Sequence, residues 1–129
     1  MTIELTVLVY VALLQVLQFC AYSVAANRQI GPKSALGPRD NKIELQGTAG
    51  RLQRALNNHF EALILFTIAC VVLAVSGQST PFTQACAWVY LAARIAYVPA
   101  YVIGIGPWRS LIWFVGLLAT ILMLINALL

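Results

Sequence analysis

Residues 50–66 read GRLQRALNNHFEALILF and carry two arginines, two asparagines, a histidine and a glutamate straight into one of the most apolar parts of the chain. Beyond them, Ala62 to Val75 supplies only 14 clean positions. At about 1.5 Å per residue these rise roughly 21 Å, short of the roughly 30 Å of hydrocarbon in a bilayer. A helix crossing at this point must therefore draw Asn57, Asn58, His59 and Glu61 into the membrane or to its edge.

The rest of the chain fixes the solvent. Of 129 residues, 61% are apolar and 9% charged, with a mean hydropathy of +0.86. This composition excludes a soluble globular protein and places the chain in the membrane class. The expected fold class is all-α: an integral membrane four-helix bundle in a single domain, residues 1–129. Its spans are expected at about 3–26, 55–75, 82–103 and 108–129, with a loop at about 27–50. The first span is charge-free apart from Glu4 at its outer end. It lacks the basic start and small-residue cleavage site of a secretory signal, so it reads as a retained helix.

Orientation comes from the basic residues. Arg28, Lys33, Arg39, Lys42, Arg51 and Arg54 lie between spans one and two, and Arg109 between spans three and four, whereas SGQST (76–80) has none. The positive-inside rule puts the first and third loops in the cytoplasm and both termini outside. Topology thus accounts for the net charge of +4, which gives no support to nucleic-acid binding. A basic juxtamembrane loop does attract anionic lipid or an anionic solute.

Local signals punctuate the bundle. GPKSALGPRD (31–40) breaks any helix with its Gly-Pro pairs, Thr48 is placed to cap the second helix, and Pro107 suits the first turn of the fourth. Pro99 lies inside the third span, where it removes a backbone hydrogen bond and is expected to kink the helix. Cys20, Cys70 and Cys86 show no CxxC or Cys/His spacing and read as small buried hydrophobes, with no metal site.

Two polar stripes carry the chemistry. Arg51, Arg54, Asn58 and Glu61 are spaced by three, four and three, which puts them within about an 80° arc of one helix face. The arginines also suit a plainer role as interfacial anchors. A carboxylate deeper in the span is costly in lipid, about 2.5–3.5 kcal/mol at a span's centre on insertion scales, and calls for a partner. Arg94 in the third span reaches comparable depth, so an Arg94–Glu61 ion pair that holds the helices together is expected. Tyr97 and Tyr101 continue the Arg94 face, and Arg109 and Ser110 close the constellation from the turn. Together they describe an intramembrane pocket open to the cytoplasm, suited to a small zwitterionic ligand with several carboxylates.

These residues resemble the MAPEG family, the membrane-associated proteins of eicosanoid and glutathione metabolism. GRLQRALNNHFE (50–61) is similar to the family's R-x-x-R-A-x-x-N-x-x-E, and ARIAYVPAY (93–101) with PWRS (107–110) is similar to its R-x-x-Y-x-x-x-Y and later arginine. The resemblance implies a homotrimer that binds glutathione, or a related thiol, between subunits near the cytoplasmic side. Carried over by position, Arg54, Asn58, Glu61, Tyr97, Tyr101 and Ser110 bind glutathione, Arg28 reaches in from a neighbouring subunit, and Arg109 is the catalytic residue that stabilises the thiolate. The implied activity is a transferase or peroxidase acting on hydrophobic electrophiles or lipid hydroperoxides that enter from the bilayer. The stretch is most like bacterial members, which implies an inner membrane.

Departures bound what is carried over. Position 57 is Asn where the prostaglandin-synthase branch has arginine, and position 62 is Ala where the leukotriene-conjugating branch has tyrosine, so no eicosanoid substrate is assigned. A different class of function, a non-catalytic membrane subunit that keeps the fold, is the alternative. A channel or transporter fits less well, since the single polar cluster opens to one side only.

Overall fold

A computed structural model describes residues 1–30, 47–103 and 106–129. They form four helices: α1 (Ile3–Ile30), α2 (Gly47–Ser76), α3 (Pro81–Ile103) and α4 (Gly106–Leu128). Among the described residues the architecture is all-α, as expected. Residues 31–46 with their Gly-Pro pairs, the Thr48 side chain and positions 104–105 lie outside the described residues.

Both α1 and α2 are longer than the spans read from hydropathy. At 28 and 30 residues they rise about 42 and 45 Å, more than the hydrocarbon thickness, so polar turns extend each helix past its apolar stretch. Three helices are long and apolar enough to cross a membrane, through Ile3–Arg28, Ala49–Ser76 and Pro107–Leu128. The 23 residues of α3 rise about 35 Å. This is the helix that carries Arg94 and Gln84, and it continues through Pro99.

Helix packing explains where polarity is tolerated. The inner helices α2 and α3 each contact all three others, whereas α1 and α4 flank them without touching one another. Both polar stripes therefore lie on the two inner helices. The core is built from Val7, Val11, Phe66, Ala69, Cys70, Leu73, Ala87, Tyr90 and Met123, centred on a Phe66–Tyr90 stack with ring centroids 3.9 Å apart and 7° between planes. Nearer the far end, Ala26 of α1 and Ala49 of α2 are buried together. Small residues allow this close approach, the usual device where lipid provides no hydrophobic drive. Cys70 and Cys86 are buried as expected, but Cys20 is exposed on α1, because the bundle does not cover that face.

The α2–α3 turn is specified residue by residue. Gly77 adopts φ +69°, its N–H donates to Ala74 O, and Gln78 N–H donates to Leu73 O at 3.1 Å. This pair of bonds is a Schellman cap, which needs the left-handed conformation that glycine adopts without a Cβ penalty. Three residues after Gly77, Thr80 Oγ1 accepts from Thr83 N–H at 3.2 Å while Thr83 Oγ1 accepts from Thr80 N–H at 2.9 Å. That reciprocal capping box starts α3, with Pro81 in the first helical position.

Glu4 is not a solvated end charge. It is fully buried, because α1 runs back along α2 and its first turn lands on the α2–α3 connection. Ser79 Oγ donates to the carboxylate at 2.8 and 2.9 Å and Thr83 Oγ1 donates at 2.8 Å. Hydroxyls, rather than a cation, satisfy this carboxylate.

Candidate functional site

The α2 stripe and the α3 stripe meet, and α4 closes over them. Arg54 Nε donates to Tyr101 Oη at 3.1 Å, which joins α2 to α3. The Arg109 guanidinium lies 4.8 Å from the centroid of the same Tyr101 ring, and the Tyr97 and Tyr101 rings are 5.6 Å apart. Tyr101 is thus held between two guanidinium groups, one bound to its hydroxyl and one over its face, an arrangement favoured by the ring quadrupole.

Beside this cluster lies a polar cavity of about 210 Å3 lined by Asn58, Tyr97, Tyr101, Arg109, Ser110 and Trp113. A second cavity, about 170 Å3 and mostly apolar, runs between α2, α3 and α4, with Glu61, Tyr90, Arg94, Gly116 and Leu117 on its wall. Asn58 and Trp113 line both. A polar chamber and an apolar one therefore adjoin, and these two side chains stand where they meet. Such a pairing suits a hydrogen-bonding, charged ligand on one side and an apolar one on the other.

Most of the residues expected at the site come together in this way. Arg54, Asn58, Tyr97, Tyr101, Arg109 and Ser110 form or border the polar cavity, and Glu61 lines the apolar one. Arg28 does not join them: it is exposed in the last turn of α1, on the helix that makes no contact with α4. Arg51 is exposed on α2.

Arg94 is placed differently from expectation. It is only 2% exposed, and its Nη1 donates to Asn58 Oδ1 at 2.9 Å, while Nε and Nη2 have no hydrogen-bond partner among the described residues. No ion pair joins it to Glu61. Asn58 stands one turn before Glu61 and meets the guanidinium, whereas Glu61 is exposed. The Tyr97 ring, 4.4 Å from the guanidinium carbon, supplies a second favourable contact.

Two further residues carry weight that the sequence did not assign. Trp113 lies four residues past Arg109, hence on the same helix face, and that spacing is the signal by which it is recognisable. His59 is fully buried, with Nδ1 hydrogen-bonded to Gln15 Oε1 of α1. It belongs to the α1–α2 contact rather than to the cavities.

The family model described as the MAPEG family matches residues 4–129, essentially the whole chain. No curated protein and no solved structure gives a match.

Proposed function

The chain belongs to the MAPEG family, and on that premise we propose that this integral membrane protein is a glutathione-dependent transferase or peroxidase acting on hydrophobic electrophiles or lipid hydroperoxides. The observation that carries the reading is the polar cavity, where Arg109 and Ser110 of α4 face Asn58 of α2 and Tyr97 and Tyr101 of α3, beside an apolar chamber.

Glutathione offers what this cavity can bind. A carboxylate suits Arg54, its peptide carbonyls suit Asn58 and the tyrosines, and its ammonium suits Glu61. A free thiol has a pKa of about 8.5, and a nearby guanidinium lowers it, so Arg109 acts as the catalytic residue by populating the thiolate near neutral pH. In conjugation the thiolate attacks the electrophilic carbon, a C–S bond forms, and the leaving group departs with the bond's electron pair. In peroxide reduction two thiols are oxidised to the disulfide while the hydroperoxide is reduced to an alcohol and water. Neither route needs a covalent bond to the protein.

The proposal includes a homotrimer in which Arg28, exposed on α1, reaches a neighbouring subunit's cavity. It also sets the cavity on the cytoplasmic side, where the basic residues of the first and third loops lie, with the apolar substrate entering from the bilayer. In detergent, purified protein should bind glutathione and conjugate a generic aromatic electrophile, and Arg109→Ala should bind but conjugate at least tenfold more slowly. Binding with no turnover in the parent would point instead to a non-catalytic subunit, and no binding at all would overturn the proposal.

A further inference from the structure

We infer that Arg94 is a positioning residue that sets the sense of the Asn58 amide, so that Asn58 offers a bound ligand N–H donors and no acceptor. The inference rests on the glutathione reading and deepens it.

A carboxamide has nearly the same shape either way round, and its hydrogen-bond partners decide which end points where. Arginine carries donors only. With Arg94 Nη1 at 2.9 Å, the oxygen of Asn58 must face the guanidinium, and Nδ2 must face away from it. Inverting the amide would set donor against donor. It would also deprive Arg94 of its single hydrogen bond among the described residues, since Nε and Nη2 have none. A cation this deeply buried does not release an acceptor readily.

Asn58 is half-buried and borders both cavities, and nothing else among the described residues bonds its amide. Its Nδ2 donors are therefore open to a ligand. They select an acceptor, a carbonyl or carboxylate oxygen of the thiol peptide, and reject its ammonium. Glu61, one turn further along α2 on the apolar cavity's wall, is acceptor-only when ionised and selects the opposite end. Neighbouring positions on one helix face thus read opposite hydrogen-bond polarity, which fixes the direction in which the peptide lies along α2. Arg94 lines the apolar cavity beside Asn58 and Glu61 but does not border the polar one; toward the polar cavity it acts through Asn58, and its contact with Tyr97 steadies a second wall there.

The test uses the full chain in detergent with glutathione as the probe. Asn58→Asp keeps the shape and pairs with Arg94 but has no N–H, so glutathione Kd should rise at least tenfold while the thermal midpoint increases. Arg94→Gln can accept as well as donate, so it frees the amide to invert. KM for glutathione should rise several-fold with kcat unchanged at saturating thiol. Arg94→Lys remains donor-only and should stay within about threefold of the parent. An Asn58→Asp variant that binds as tightly as the parent, or Arg94→Lys impaired as much as Arg94→Gln, would overturn the inference. A ligand-free arm separates it from the proposed function: Asn58→Asp should raise the thermal midpoint only where Arg94 is present. Should the parent bind no glutathione, the proposed function fails, and this unfolding cycle still decides whether Arg94 governs Asn58.

Discussion

Arg54 on α2 and Tyr101 on α3, forty-seven residues apart in sequence, meet through a 3.1 Å hydrogen bond from the guanidinium Nε to the phenol oxygen. That bond spends one donor of Arg54 and leaves the others of its fork available, while it fixes the phenol beside the polar cavity. Tyr101→Phe keeps the ring and its contact with Arg109 but removes the acceptor. Glutathione KM should rise roughly three- to tenfold, in line with about 1 kcal/mol for one hydrogen bond, with little change in thermal midpoint. Tyr101→Ala should lose considerably more. Steady-state kinetics of the two variants checks this ordering.

Glu4 anchors the end of the bundle where α1 begins, through Ser79 and Thr83. Glu4→Ala takes the carboxylate from half-buried Ser79 and from buried Thr83, whose hydroxyl can still donate to Thr80 O at 3.0 Å, and opens a small cavity, at a cost of about 1–3 kcal/mol. The variant should unfold earlier in detergent yet bind glutathione normally, since Glu4 borders neither cavity. Thermal unfolding alongside binding measurements separates the two effects.

Gly77 has open space around the position of a Cβ, so only its positive φ resists substitution. Gly77→Ala should cost about 1 kcal/mol through left-handed backbone strain and leave activity intact, as read by thermal midpoint and turnover.

Gly116 borders the apolar cavity, and a Cβ there would lie at ordinary contact distances, 3.6 Å from Ala93 Cβ and 3.8 Å from Tyr90 Cδ2. Gly116→Ala should therefore be tolerated. Gly116→Leu should fill much of the roughly 170 Å3 chamber; it should raise KM for the hydrophobic substrate more than KM for glutathione, which meets this chamber only at Asn58 and Glu61. Varying each substrate in turn distinguishes the two.

Much of this was legible in the chain itself. The 14 uncharged positions from Ala62 to Val75 required polar turns inside the membrane, and the three, four, three spacing from Arg51 to Glu61 put them on one face. The Arg94, Tyr97, Tyr101 stripe follows from the same helical arithmetic, and the structure brings the two faces together. Pairings across helices were less accessible. Whether Arg94 meets Glu61 or Asn58 depends on the relative rotation and depth of α2 and α3, which differ by one turn between the alternatives and leave no mark in either helix's own periodicity. The burial of Glu4 likewise depends on where the first turn of α1 lands, and His59 is turned toward Gln15 by the α1–α2 packing. Trp113 was legible in principle, four residues after Arg109, but a tryptophan near a membrane edge suits a lipid-facing belt equally well.

On the proposed function, the cavity beneath Arg109 binds glutathione and stabilises its thiolate. The most direct measurement is ultraviolet absorbance of the thiolate in detergent-solubilised protein saturated with glutathione, titrated against pH for the parent and for Arg109→Ala. The parent should show thiolate well below the ordinary thiol pKa of about 8.5, and Arg109→Ala should shift that titration back toward the free thiol's while still binding the peptide. Coincident titrations for parent, variant and free glutathione would contradict the account.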